Sequence, residues 1–190
     1  PYASQRAPRA FDASAALAFL ASAQLSDGSF GSALLSDWVA IAYAAADGGE
    51  AEAHLRSYML SAVPVLSSVT DYERHAMALQ ALGIDPYAGT SVDMIAPITA
   101  AFDGAQVGDV QLVNDDIFAL IPLMHAGYGV SDDVIAKTAA FVISQQDGNG
   151  SWGSVDLTAA AIQSLVPLSS LTDIPAALSR AEGYLRSQQG

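Results

Sequence analysis

Two side-by-side carboxylates, Asp115 and Asp116 in Val113-Asn114-Asp115-Asp116, are the residues of this chain best arranged for proton transfer. An acid beside another acid holds its proton to higher pH, which is what a general acid requires. At a helix start the same pair has a plainer use. There a carboxylate accepts bonds from the free N–H groups of the first turn and complements the helix dipole, worth about 1 kcal/mol. A second concentration of polar groups is Asp71-Tyr72-Glu73-Arg74-His75. Asp71 as a cap, Glu73 as a first-turn acid and Arg74 in a surface ion pair account for most of it. Tyr72 and His75 are then free to meet a ligand, together with Trp38 and Phe118 from neighbouring helices. Aromatic residues at helix starts either line the mouth of a cavity or pack into the core.

Other chemistries are excluded by what the chain lacks. There is no cysteine, which removes disulfides, zinc-thiolate sites and thiol nucleophiles together. The three histidines, His54, His75 and His125, stand apart in sequence, and a lone helical histidine is more often structural than metal-ligating. Asp147-Gly148-Asn149-Gly150-Ser151 invites comparison with a calcium loop, but the sixth position is Trp152 where glycine is required and the twelfth is Thr158 where glutamate is required. No nucleophile elbow, Ser-x-x-Lys pair or phosphate-cradling glycine loop occurs. No metal and no cofactor is expected. A net charge of −13, with Lys137 the only lysine, is the opposite of what a nucleic-acid binder needs. No apolar run reaches the ~18–20 residues that span a bilayer; the best candidate, Ile117 to Val130, contains Pro122 and His125.

Helical periodicity, punctuated by Gly, Pro and Asp, supplies the elements that must position these residues. It predicts two alternating sets of helices. One comprises Phe11–Gln24, Glu50–Val63, Ser91–Ala101, Asp132–Gln145 and Asp173–Gln188. The other comprises Ser36–Ala46, Asp71–Leu82, Asn114–His125 and Asp156–Val166. Val107–Val113 is the only weak candidate for a strand. In the second set an Asp recurs near each helix start, and from Asp37 to Asp71 to Asp115 to Asp156 the steps are 34, 44 and 41 residues. That is the length of a helical hairpin with its loops. All 190 residues are read as one domain, long enough to bury a single core.

A short phrase repeats between the two sets. It runs Phe19-Leu20, Gln24, Gly28, Phe30, Gly31, then again Phe141-Val142, Gln146, Gly150, Trp152, Gly153. Tyr184-Leu185 and Gln189-Gly190 begin it a third time. A Gln at a helix end can bond the orphan carbonyls there and the N–H groups of the next helix start. The aromatic at Phe30 or Trp152 can cover that Gln, and Gly28 and Gly150 permit the turn. The absence of an initiating Met and the interruption at Gly190 lead to the expectation of a piece of a longer protein.

This phrase resembles the QW motif of squalene-hopene and oxidosqualene cyclases. The chain is similar to the prenyltransferase/squalene-oxidase repeat superfamily, the terpenoid cyclase-like α/α toroids, a fold also found in transcobalamin and intrinsic factor. The resemblance implies an all-α chain of alternating outer and inner helices. It further implies a partial or open toroid of about nine helices, because a full one uses about six hairpins. The family's catalytic motifs are incomplete here. Val113 stands where the first acid of Asp-x-Asp-Asp would be, and the zinc set of the protein prenyltransferases needs a cysteine. The expected function is therefore a non-catalytic binding or scaffold module, in a secreted or cell-surface protein. Its partners would be further domains of a parent chain or a second copy, with an apolar small ligand as a further candidate. The alternatives are an enzyme acting on isoprenoid-type substrates, with Asp115 or Asp116 as the acid, and a small-ligand binder of the transcobalamin type.

Overall fold

A computed structural model describes residues 12–189; Phe11, the predicted first residue of the first helix, and Gly190 of the third phrase lie outside the described residues. The described chain is all α. Its helices are α1 (Ala13–Ala23), α2 (Ala33–Ala46), α3 (Gly49–Ser61), α4 (Val69–Ala81), α5 (Ile95–Ala100), α6 (Val113–His125), α7 (Asp133–Ser144), α8 (Val155–Leu165) and α9 (Ile174–Ser187). A short 3-10 turn, Val166–Leu168, follows α8. The weak strand candidate at Val107–Val113 is loop and helix start, touching Phe102 through a single bridge at Val107.

The helix starts are set by serines more than by the aspartates that mark the sequence. Ser32, Ser68 and Ser154 are N-caps of α2, α4 and α8, each accepting a bond from the backbone N–H three residues on. Ser68 and Asp71 close a reciprocal capping box, so Asp71 is the third residue of its helix and not the cap. Helix α5 is shorter than the predicted Ser91–Ala101. The Asp93 carboxylate takes the N–H groups of Ile95 and Ala96, and the Pro86 carbonyl takes that of Met94, so Ser91–Met94 is held as a turn.

Helices α2, α4, α6 and α8 pack on one another in order, forming one row. Each odd-numbered helix lies against the row: α1 and α3 on α2, α5 on α4, α7 on α6, α9 on α8. Residues near the starts of α4 and α6 meet (Thr70 with Asp115), and residues near their ends meet (Gln80 with Pro122), so these two helices run parallel. Burial follows from position. Helix α6, with neighbours on both sides in the row and α7 behind it, buries Asp115, Asp116, Ile117, Ala119, Leu120, Pro122 and Leu123. Helix α1, at the edge, buries no residue completely. A helix enclosed on most sides reads apolar nearly all round, as α6 does. Each fully buried Leu or Ile contributes roughly 1.5–3 kcal/mol.

The repeated phrase builds the same joint twice. At the end of α1 the Gln24 Nε2 donates to Gly28 O and to Ala51 O in the first turn of α3, both at 2.9 Å. At the end of α7 the Gln146 Nε2 donates to Gly150 O at 3.0 Å and to Ala177 O in the first turn of α9 at 2.9 Å. Each Gln thus bonds carbonyls of its own turn and of the next odd-numbered helix, where the sequence suggests N–H partners at the next helix start. The N–H of Phe30 donates to Ser36 Oγ and that of Trp152 to Thr158 Oγ1, six residues on in each case. The aromatic rings differ. Trp152 is buried, its Nε1 donating to Val142 O at 2.7 Å, whereas Phe30 meets the edge of Tyr43. Arg180 additionally caps Gln146 Oε1. Replacing Gln146 by Ala leaves Gly150 O and Ala177 O without this donor, with an expected loss of about 1–2 kcal/mol in a urea titration.

Candidate functional site

One groove is lined by all four helices of the row. Trp38 and Ile41 come from α2, Met77, Gln80 and Ala81 from α4, Phe118, Ile121 and His125 from α6, and Gln163 from α8. A single groove touching four consecutive helices requires the row to bend around it. Its volume is about 270 Å³, close to the lower end of ordinary ligand sites, about 300–1,000 Å³. A smaller hollow of about 90 Å³ adjoins it toward the helix starts, sharing Trp38, Met77 and Phe118 and adding Leu34, Thr70 and Arg74. The walls are apolar and aromatic, and His125 and Gln163 supply polar groups at the opposite end. Trp38 leaves 47% of its surface open, an unusual exposure for an indole that packing alone would bury.

Of the four residues picked from the sequence as ligand contacts, the structure brings Trp38 and Phe118 together in this groove and leaves Tyr72 and His75 out of its lining. His75 is buried, and its Nδ1 lies 2.7 Å from Asp37 Oδ1. The other Asp37 oxygen accepts from Arg74 Nε at 2.9 Å, and Arg74 reaches Asp71 as well. Arg74 is 9% exposed, so the expected surface pair is an interior ion pair joining α2 to α4. Its reason is geometric: Asp37 sits on the face of α2 that α4 covers, and only a cation there offsets burying its charge. Tyr72 is half-buried and packs against the core.

Asp115 and Asp116 are the third and fourth residues of α6, beyond the N-cap position, which Leu112 holds without a side-chain bond. They do not line the groove. Asp115 accepts from Thr70 Oγ1 at 2.9 Å, Asn114 Nδ2 at 3.0 Å and the N–H of Asp109 at 3.2 Å. Asp116 accepts from the N–H of Val107 at 2.8 Å and has no partner for Oδ2. Both therefore support the loop between α5 and α6, in place of the first-turn N–H groups expected from sequence. Beside them lies Glu73, which the sequence suggests as a first-turn acid. It is the fifth residue of α4, buried completely, with neither carboxylate oxygen bonded. Burial, reinforced by Asp115 and Asp116, pushes its pKa up to about 9. Burial also raises Asp116 to about 7, with Asp115 adding to the rise and the Val107 N–H opposing it. The only sequence signal for Glu73 was its spacing on a helix otherwise filled with apolar residues at i+3 and i+6, Ala76 and Leu79.

The Asp147–Ser151 turn closes on itself. Ser151 Oγ has Asn149 Oδ1 and Asp147 Oδ2 as alternative acceptors for its one hydrogen, and Gly153 N–H donates to Asp147 Oδ2. Among the described residues no group of three or more His, Asp or Glu side chains is placed to hold a metal ion. No helix among them is long and apolar enough to cross a membrane. In comparisons with protein-family models, with curated proteins and with solved structures, nothing matches this chain.

Proposed function

We propose that this chain is a non-catalytic binding module, a partial α/α toroid whose even-numbered helices form the inner row and whose groove takes an apolar small molecule. The observation that carries this reading is the groove itself. Three helices, far apart in sequence, contribute Trp38, Ile41, Met77, Phe118 and Ile121 to one apolar wall, and Gln163 of α8 completes the lining. The alternation of row and flanking helices, and the Gln joints between successive flanking helices, support the toroid-like arrangement. A cyclase-like enzyme would need its acid at that wall, and Asp115 and Asp116 are instead engaged with Thr70 and the α5–α6 loop.

The two tryptophans make the test direct, because Trp38 lines the groove and Trp152 is buried away from its lining. Titration with isoprenoid alcohols of increasing length is expected to give a saturable blue shift of the emission. The shift is lost in Trp38→Phe, where Trp152 alone reports. Phe118→Ala is expected to weaken binding by about tenfold, since truncating a buried aromatic anchor costs more than 1 kcal/mol. Emission unchanged by every alcohol in the wild-type protein would remove the ligand from this reading and leave a scaffold.

A further inference from the structure

The loop between α5 and α6 is fastened at its middle to buried carboxyls. The N–H of Val107 is held by Asp116 and that of Asp109 by Asp115. Gly108 between them lies so close that a Cβ there would fall 2.5 Å from Asp115 Oδ2. Near this clasp four buried oxygen atoms have no partner among the described residues: both of Glu73, Oδ2 of Asp116 and Oε1 of Gln106. Glu73, buried beside two other acids with no donor to face it, exists there as the neutral acid, and Asp116 has a donor for one oxygen only.

Among the described residues no positive charge answers this cluster. The charges acting on Glu73 are Asp115 and Asp116 from α6. Helix α5 carries no titratable side chain, and the loop adds only Asp103 and Asp109. On α4 itself Arg74 and His75 turn to Asp37 of α2, and Asp71 is bonded to Arg74 and the Ser67–Ser68 backbone. The helices are locked by the core, whereas besides the clasp the loop is tied back to them mainly at the end of α5, by Phe102 N–H to Thr99 O and Gly108 N–H to Ala101 O; the bonds of Asp103, Gln106 and Asp109 close the loop on itself. The loop is thus the element that can move to admit water.

We propose that protons held by Glu73 and Asp116 act as a latch on the 101–112 loop, closing it over the heads of α4 and α6, and that the loop opens when those protons leave. The direction follows from linkage. The closed form binds protons that an open, hydrated form would release near the ordinary carboxylate range. Closure is therefore fully supported at acid pH and is lost as pH rises through about 7 for Asp116 and about 9 for Glu73.

Amide hydrogen exchange on the full chain, corrected for intrinsic rates, tests this. Between pH 6 and pH 9 the protection of peptides covering 103–112 is expected to fall at least about tenfold, the change that one unit of pKa displacement implies. Peptides of α7 serve as the internal reference and keep theirs. In the double variant Glu73→Gln, Asp116→Asn, which retains an acceptor for Val107, the fall disappears. Should that variant not fold, carbon chemical shifts of the two carboxyls in the wild-type protein decide instead: both must titrate where loop protection is lost. The latch is overturned by protection independent of pH, by a fall that persists in the double variant, or by parallel loss in α7, which would make the acids a property of the whole fold. Recovery at pH 9 on adding millimolar calcium or magnesium would also overturn it, in favour of a cation at the carboxyls.

Discussion

Replacing Asp37 by Ala is expected to lower the unfolding free energy by about 3–5 kcal/mol, enough to unfold much of the protein at moderate temperature. The carboxylate is completely buried and carries both links between α2 and α4, to Arg74 Nε and to His75 Nδ1. Its removal leaves a guanidinium facing the interior with Asp71 as its remaining acid partner. The large effect reflects the stranded partners more than any net gain from the pair. A variant exchanging Asp37, Arg74 and His75 together for apolar residues of similar volume should therefore recover most of the loss. Urea titrations with unchanged m-values would measure both. A loss below about 1 kcal/mol for Asp37→Ala would mean that water reaches this pair and that the row is looser than its packing implies.

Gly150→Ala is the second large effect, expected to cost about 2–4 kcal/mol. Gly150 has φ +91°, a conformation costly for any residue with a Cβ, and the added carbon would overlap the backbone carbonyl of Arg180 in α9. A backbone atom cannot rotate away, so α9 as a whole would have to shift. Gly28→Ala should behave alike, for the same reason in the other copy: φ is +88° and the Cβ would lie 2.5 Å from His54 O of α3. Gly148, two residues before Gly150, has open space around it, and its replacement by Ala should change stability by less than about 1 kcal/mol. Equal thermal midpoints for Gly148→Ala and Gly150→Ala would show that the turn does not seat on α9 and would undo the account of the joint.

Much of this architecture is legible in the residues, because its signals are local. A period near 3.6 and Gly or Ser at the boundaries depend only on neighbours in the chain, so α2, α4, α6 and α8 lie within a few residues of their predicted spans. The repeated phrase is legible for a related reason. The turn from Gln24 to Ser36 and that from Gln146 to Thr158 use the same residue types at the same spacing to close the same bonds. The shortening of α5 escaped because Asp93, inside the predicted helix, competes for the N–H groups of Ile95 and Ala96.

The roles of the polar residues were decided elsewhere. Asp37 reads as a helix-start acid, Arg74 as half of a surface pair and His75 as a ligand contact until α2 and α4 pack, since burial is a property of the neighbour and not of the residue. Asp115 and Asp116 read as first-turn acids because their sequence offers N–H groups nearby. The partners they take, Thr70 at 45 positions away and the loop N–H groups of Val107 and Asp109, exist only once the chain has folded back. Glu73 shows the difference most sharply. Its charge state depends on exclusion of water and on two acids from another helix. The sequence by itself determined the helices, their joints and an acidic, cysteine-free chemistry, because these are set by short-range pattern and composition. The groove, the buried ion pair and the unpartnered carboxyls were decided by tertiary packing alone, because electrostatic cost and cavity shape arise only between surfaces that the chain brings together.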